Sequence, residues 1–132
     1  MKTLAALFLI VGVSTVAGPS SVRAASRACN ILWDRVAGYA PAELCTKWGG
    51  TGCATAKTDG ELLCRAGGRM DECKTVKNEG QAFCWVFNAS FCSQANSENE
   101  GFCHASGGSL CEQNKTADRR FWLRKLLETC GN

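Results

Sequence analysis

Apolar residues fall along this chain in three patterns, each of which predicts a different element. Leu4 to Val13 is almost unbroken apolar sequence behind Lys2, fading at Ser14-Thr15 and Gly18-Pro19-Ser20. Between Arg27 and Ala37, Ala28, Leu32, Trp33 and Val36 form a stripe at helical spacing; Ser26 is placed to cap that helix and Gly38 to end it in the left-handed conformation. Towards the other end Trp122, Leu123, Leu126, Leu127 and Cys130 share one face of a helix predicted over about 116–130. Thr116 is its expected cap, Asp118 suits the positive end of its dipole, and Gly131 stops it.

The middle of the chain fits neither pattern. At a lag of about 20 residues four segments align, beginning at Cys45, Cys64, Cys84 and Cys103, and each reaches a second cysteine after seven or eight intervening residues. The internal repeats run over about 45–63, 64–83, 84–102 and 103–113. Gly49-Gly50, Gly67-Gly68 and Gly107-Gly108 come after the first cysteine, with Asn88 as the best non-glycine substitute, and Asp59-Gly60, Glu79-Gly80 and Glu100-Gly101 fall between segments. Such pairs supply the positive φ of tight hairpin turns, so the spacing predicts a meander of short β-hairpins.

Four-residue turns at 57–60, 77–80 and 96–99 set Cys53 opposite Cys64, Cys73 opposite Cys84 and Cys92 opposite Cys103, close enough to bridge. Cys29, Cys45, Cys111 and Cys130 are left with unassigned partners. A helical alternative stays open, because Phe83, Phe87 and Phe91 recur every four residues and Met70, Cys73 and Val76 every three. Glycine pairs inside a helix cost about 1 kcal/mol per residue, which tips the expectation to strands. The expected fold is α+β, a small disulfide-rich domain with hairpins flanked by an N-terminal and a C-terminal helix.

The apolar start reads as a signal peptide over 1–24, with Val22-Arg23-Ala24 as the cleavage site. The mature chain, 25–132, is one disulfide-rich domain, small enough to gain much from staples. Without Lys2 and Arg23 it holds 13 basic and 12 acidic residues, a balance that offers nothing to nucleic acid. Ten cysteines behind an export signal read as a disulfide framework in a secreted, periplasmic or cell-envelope protein. Zinc needs close cysteine pairs with histidines, and His104 is the only histidine. A nucleophilic cysteine needs an unpaired thiol beside a base. No cofactor or metal is expected.

Few residues invite a chemical role. Arg119, Arg120, Arg124 and Lys125 make the C-terminal helix basic and amphipathic, either a solvated face or a surface for anionic lipid. Among Trp33, Trp48, Trp85, Trp122 and Tyr39, Trp48 and Trp85 lie nearest turns and bridges and are the candidate stacking platforms for a sugar; the others are expected in the core. Asp59 with Glu61 and Asp71 with Glu72 read as solvated acids rather than a general acid/base pair. No catalytic residue is assigned. Asn88-Ala89-Ser90 and Asn114-Lys115-Thr116 match the glycosylation acceptor pattern.

Gly101-Phe102-Cys103-His104-Ala105-Ser106-Gly107-Gly108-Ser109-Leu110-Cys111-Glu112 resembles the G-x-C-x4-G-S-x-C-E core of a small cysteine-containing bacterial cell-envelope family that carries the label haemolysin. Cys45-x3-Gly49-Gly50-Thr51, with Cys64 and Cys73 after it, resembles that family's C-x3-G-G-T start and paired cysteines, and Asn88 to Cys92 is a looser match to its opening. The resemblance implies an exported small module and carries no functional residue across. The expected function is an exported, non-enzymatic, disulfide-stabilised binding or structural module of unknown ligand. The alternative is a secreted toxin, effector or membrane-active protein working through the basic C-terminal helix. On either reading the partner is unknown: a protein, a glycan or a membrane surface.

Overall fold

A computed structural model of the chain describes residues 20–113 and 118–131, with side chains from residue 27 onward. The expected leader up to residue 19, the Thr116 cap and the Asn114 acceptor lie outside the described residues. The described residues form six α-helices: α1 (Ser20–Val36), α2 (Pro41–Lys47), α3 (Asp59–Ala66), α4 (Glu79–Val86), α5 (Glu98–Ala105) and α6 (Arg119–Thr129). Short 3-10 turns succeed α2 to α5 at Cys53–Thr55, Asp71–Thr75, Cys92–Gln94 and Cys111–Gln113. Among the described residues there is no strand. The expected hairpin meander, and with it the α+β class, is therefore wrong: the described fold is all-helical.

The reason lies at the two ends of each short helix. The segments expected to be hairpin turns are helix starts. Thr58, Asn78 and Ser97 each accept a hydrogen bond from the backbone N–H three residues on, at Glu61 (3.0 Å), Gln81 (2.8 Å) and Glu100 (3.1 Å). The side chains of Glu61, Gln81 and Glu100 in turn accept from the backbone N–H of Lys57, Lys77 and Asn96, each at 3.0 Å. This reciprocal arrangement satisfies donors that a helix start leaves orphaned and disfavours a strand there.

The glycine pairs are helix ends. Gly49, Gly68, Asn88 and Gly107 have positive φ, as turns demand, but each stands just past a helix. The next N–H reaches back to the carbonyl of the first cysteine, from Gly50 to Cys45 (2.7 Å), Arg69 to Cys64 (3.3 Å), Ala89 to Cys84 (2.9 Å) and Gly108 to Cys103 (2.9 Å). This closure turns the chain back along its own helix. The second cysteine then arrives beside the first. The bridges are accordingly Cys45–Cys53, Cys64–Cys73, Cys84–Cys92 and Cys103–Cys111, inside each helix–turn unit, and Cys29–Cys130. The expected Cys53–Cys64, Cys73–Cys84 and Cys92–Cys103 pairs are overturned because no strands bring those residues face to face.

Successive units stack through bare backbone. A Cβ on Gly80, in the first turn of α4, would lie within van der Waals overlap of the Glu98 carbonyl, and one on Gly101 would meet Gln81 N at 2.4 Å. Leu44, Leu63, Phe83 and Phe102, from α2 to α5, are fully buried, with the Phe83 and Phe102 rings stacked at 6.0 Å. Ala28, Ile31 and Leu32 of α1 and Trp122 and Leu126 of α6 complete the core.

The terminal helices differ from expectation in detail. The expected Ser26 cap lies inside α1, which already includes Ser20, and the inner stripe of α1 is Ala28-Ile31-Leu32, since Trp33 and Val36 are exposed. Asp118 itself caps α6, accepting from Phe121 N at 3.0 Å. Gly38 and Gly131 end their helices with positive φ, as expected.

Candidate functional site

Two concave surfaces stand out, and each contains residues that the sequence singled out. The first is a cleft of about 500 Å³ at the ends of α2, α3 and α4. Trp48 caps the end of α2 and Trp85 lies in the last turn of α4; both line the cleft and both are half-buried. Gly67 and Gly68 leave the space between them.

Two arginines not foreseen from sequence complete the lining. Arg27 of α1 donates from Nε (3.1 Å) and Nη2 (2.7 Å) to the Ala66 carbonyl and from Nη2 to the Trp48 carbonyl (2.7 Å). Its charge thus sits on carbonyls at the negative ends of α2 and α3, where it is favoured. Arg69 lies over the Trp85 ring at 5.5 Å and donates to Asn88 Oδ1 at 3.2 Å. Trp48 Nε1 donates to Asp34 Oδ2 at 3.1 Å, fixing that indole. Trp85 Nε1 and Arg69 Nε are buried and make no hydrogen bond to a described residue, although Glu72 Oε2 lies 3.8 Å from Arg69 Nε as an ion-pair partner. Buried donors left unsatisfied carry a desolvation cost of about 1–3 kcal/mol each. The lining holds two cations and no carboxylate.

The second surface is a groove of about 520 Å³ between the end of α1 and α6. Arg119, Arg120 and Arg124 line it, while Lys125 is exposed outside it. Glu79 of α4 is 5% exposed and receives Arg35 in a two-pronged pair, with Arg119 on the same carboxylate. Burial alone would raise the Glu79 pKa, but the hydrogen bonds and charges of Arg35 and Arg119 outweigh it and hold the carboxyl below its ordinary value. Arg119 is therefore a structural cation. Arg120 and Arg124 make no ion pair with any described residue.

The remaining candidates serve local structure. Glu61 is held below the usual carboxylate range by the Lys57 backbone N–H and then by Arg65, and Glu72 by its own backbone N–H and that of Met70. Each belongs to a cap or turn. His104 stands 3.7 Å from Glu100 Oε2 and against the Phe91 ring. Trp122 is core, whereas Trp33 and Tyr39 are exposed. The Asn88 acceptor is exposed at the cleft's edge. Among the described residues no cluster of three His, Cys, Asp or Glu side chains has metal-binding geometry, and no helix is long and apolar enough to cross a membrane. No family model matches the chain, and no curated protein or solved structure shows significant similarity to it.

Proposed function

We propose that this chain is an exported, non-enzymatic binding module, built of four disulfide-clamped helical repeats, whose ligand is an acidic carbohydrate seated between Trp48 and Trp85. The observation that carries this reading is the lining of the cleft: two indoles beside two guanidinium groups, with no carboxylate among the lining residues. Sugar rings offer C–H faces to indoles, and a carboxylate or sulfate offers acceptors to both guanidiniums. Five disulfides fit an oxidising compartment such as the periplasm or the extracellular space, and the apolar start at Leu4 to Val13 supports export. The resemblance of 101–112 to the haemolysin-labelled envelope family points to the same compartment.

A membrane-active reading has less support, because Trp122 and Leu126 of α6 are buried and Cys130 ties the helix to α1. The test is a glycan array of neutral, carboxylated and sulfated saccharides, and then titration. Acidic saccharides are expected to bind, with at least about tenfold loss in Trp85→Ala and in Arg69→Ala while circular dichroism stays helical. Binding of neutral and acidic sugars alike, or loss only in unfolded variants, would contradict the reading.

A further inference from the structure

We propose that the groove between α1 and α6 is a second, independent site that receives an acidic amphipathic helix of a partner protein. Its floor is apolar: Leu123 and Leu127 of α6, one helical turn apart and half-buried, face Val36 of α1, which is 45% exposed. Arg120 and Arg124 run parallel to that floor, also one turn apart, both exposed and neither in an ion pair with a described residue. Like charges at this spacing destabilise a helix by about 0.2–0.5 kcal/mol. Arg35 and Arg119 are already matched to Glu79 within the protein.

The two rows, apolar and cationic, share the spacing of a helical turn, about 5.4 Å. A helix with leucines at i, i+4 and glutamates at a parallel i, i+4 offers the complementary rows and lays its apolar face in the groove. A fatty carboxylate brings one charge to two unmatched arginines, and a planar bilayer cannot enter a concave floor whose leucines are half-buried. The helix is the occupant that meets both rows at once.

The probe is a synthetic peptide of about 18 residues, long enough for marginal helicity in water, with leucine and glutamate rows at i, i+4, beside a scrambled peptide of equal composition. Titration of the intact, disulfide-bonded protein is expected to show binding of the patterned peptide with a gain in helical circular dichroism. Arg120→Glu with Arg124→Glu is expected to weaken it by at least about tenfold, while Lys125→Glu, off the groove, and Trp85→Ala, in the cleft, leave it unchanged. Equal binding of the scrambled peptide, equal loss in Lys125→Glu, or no binding would overturn the proposal. So would Arg120- and Arg124-dependent binding to anionic phosphatidylglycerol vesicles without peptide binding, which assigns the surface to lipid.

Discussion

Arg35 at the end of α1 and Glu79 at the start of α4, 44 residues apart in sequence, meet as a two-pronged pair, Nε to Oε1 and Nη2 to Oε2, both at 3.0 Å. Arg119 of α6 joins the same carboxylate, so one glutamate joins three helices. The folded pKa of Glu79 lies below that of an unfolded glutamate, about 4.3. The stabilisation it confers is therefore complete above that value and is lost as pH falls through the lowered folded one. Glu79→Gln is expected to cost about 2 kcal/mol at neutral pH, the scale of a hydrogen-bonded charge. It should also flatten the loss of stability from about pH 5 to pH 3, read from urea midpoints across that range.

Gly80 supplies the contact on which the stacking of α4 and α5 depends. Any Cβ there collides with the Glu98 backbone, which has no rotamer by which to move aside. Gly80→Ala is expected to cost about 3 kcal/mol, a fall of roughly 15 °C in thermal midpoint. At Gly107 a Cβ meets nothing within 4 Å but φ is +79°, so Gly107→Ala should cost only about 1 kcal/mol. Calorimetry of the two variants measures close packing against backbone strain.

Phe91 and Leu110 occupy left-handed conformations, at φ of 66° and 54°, just before the second cysteines of their units. Leu110 is 65% exposed, so burial does not offset the strain. A non-glycine residue there costs about 1–2 kcal/mol, and glycine's extra unfolded-state freedom about 0.5–1 kcal/mol. Leu110→Gly is accordingly expected to stabilise the protein by about 0.5 kcal/mol, visible as a higher denaturant midpoint.

The five bridges should differ in worth. Cys29–Cys130 joins residues 101 apart, whereas Cys45–Cys53 joins residues 8 apart. Loop-closure entropy predicts about 4.7 kcal/mol for the first and about 2.5 kcal/mol for the second. Replacing each pair by serine and comparing unfolding free energies checks the order; a larger loss from the short loop would count against it.

Whether a segment is legible in the sequence depends on whether its signal has one meaning or two. Gly38 and Gly131 read correctly because an apolar stripe beside each already declares a helix, whereas Asp118, expected only to suit the helix dipole, is itself the cap. Gly67-Gly68 and Gly107-Gly108 mislead because positive φ serves hairpin turns and helix ends equally. The helix penalty assigned to them does not apply, since they stand at the end of α3 and beyond the end of α5 rather than inside. The signal that decides between the two is in the sequence: Thr58-x-x-Glu61, Asn78-x-x-Gln81 and Ser97-x-x-Glu100 are capping boxes or close variants of them. Proximity to turns sets Trp48 and Trp85 apart from the core, and both line one cleft. Arg27 and Arg69 carry no such signal, because only the stacking of α1 on later units brings a residue at position 27 to the carbonyl of Ala66.

The Trp48–Trp85 cleft exists only if each short helix is clamped to its own turn, so the bridge map is the most direct test. Proteolysis of the unreduced protein and mass spectrometry of the fragments should recover Cys45–Cys53, Cys64–Cys73, Cys84–Cys92, Cys103–Cys111 and Cys29–Cys130, with no thiol open to alkylation. Recovery of Cys53–Cys64, Cys73–Cys84 and Cys92–Cys103 instead would contradict the helical units and remove the cleft with them.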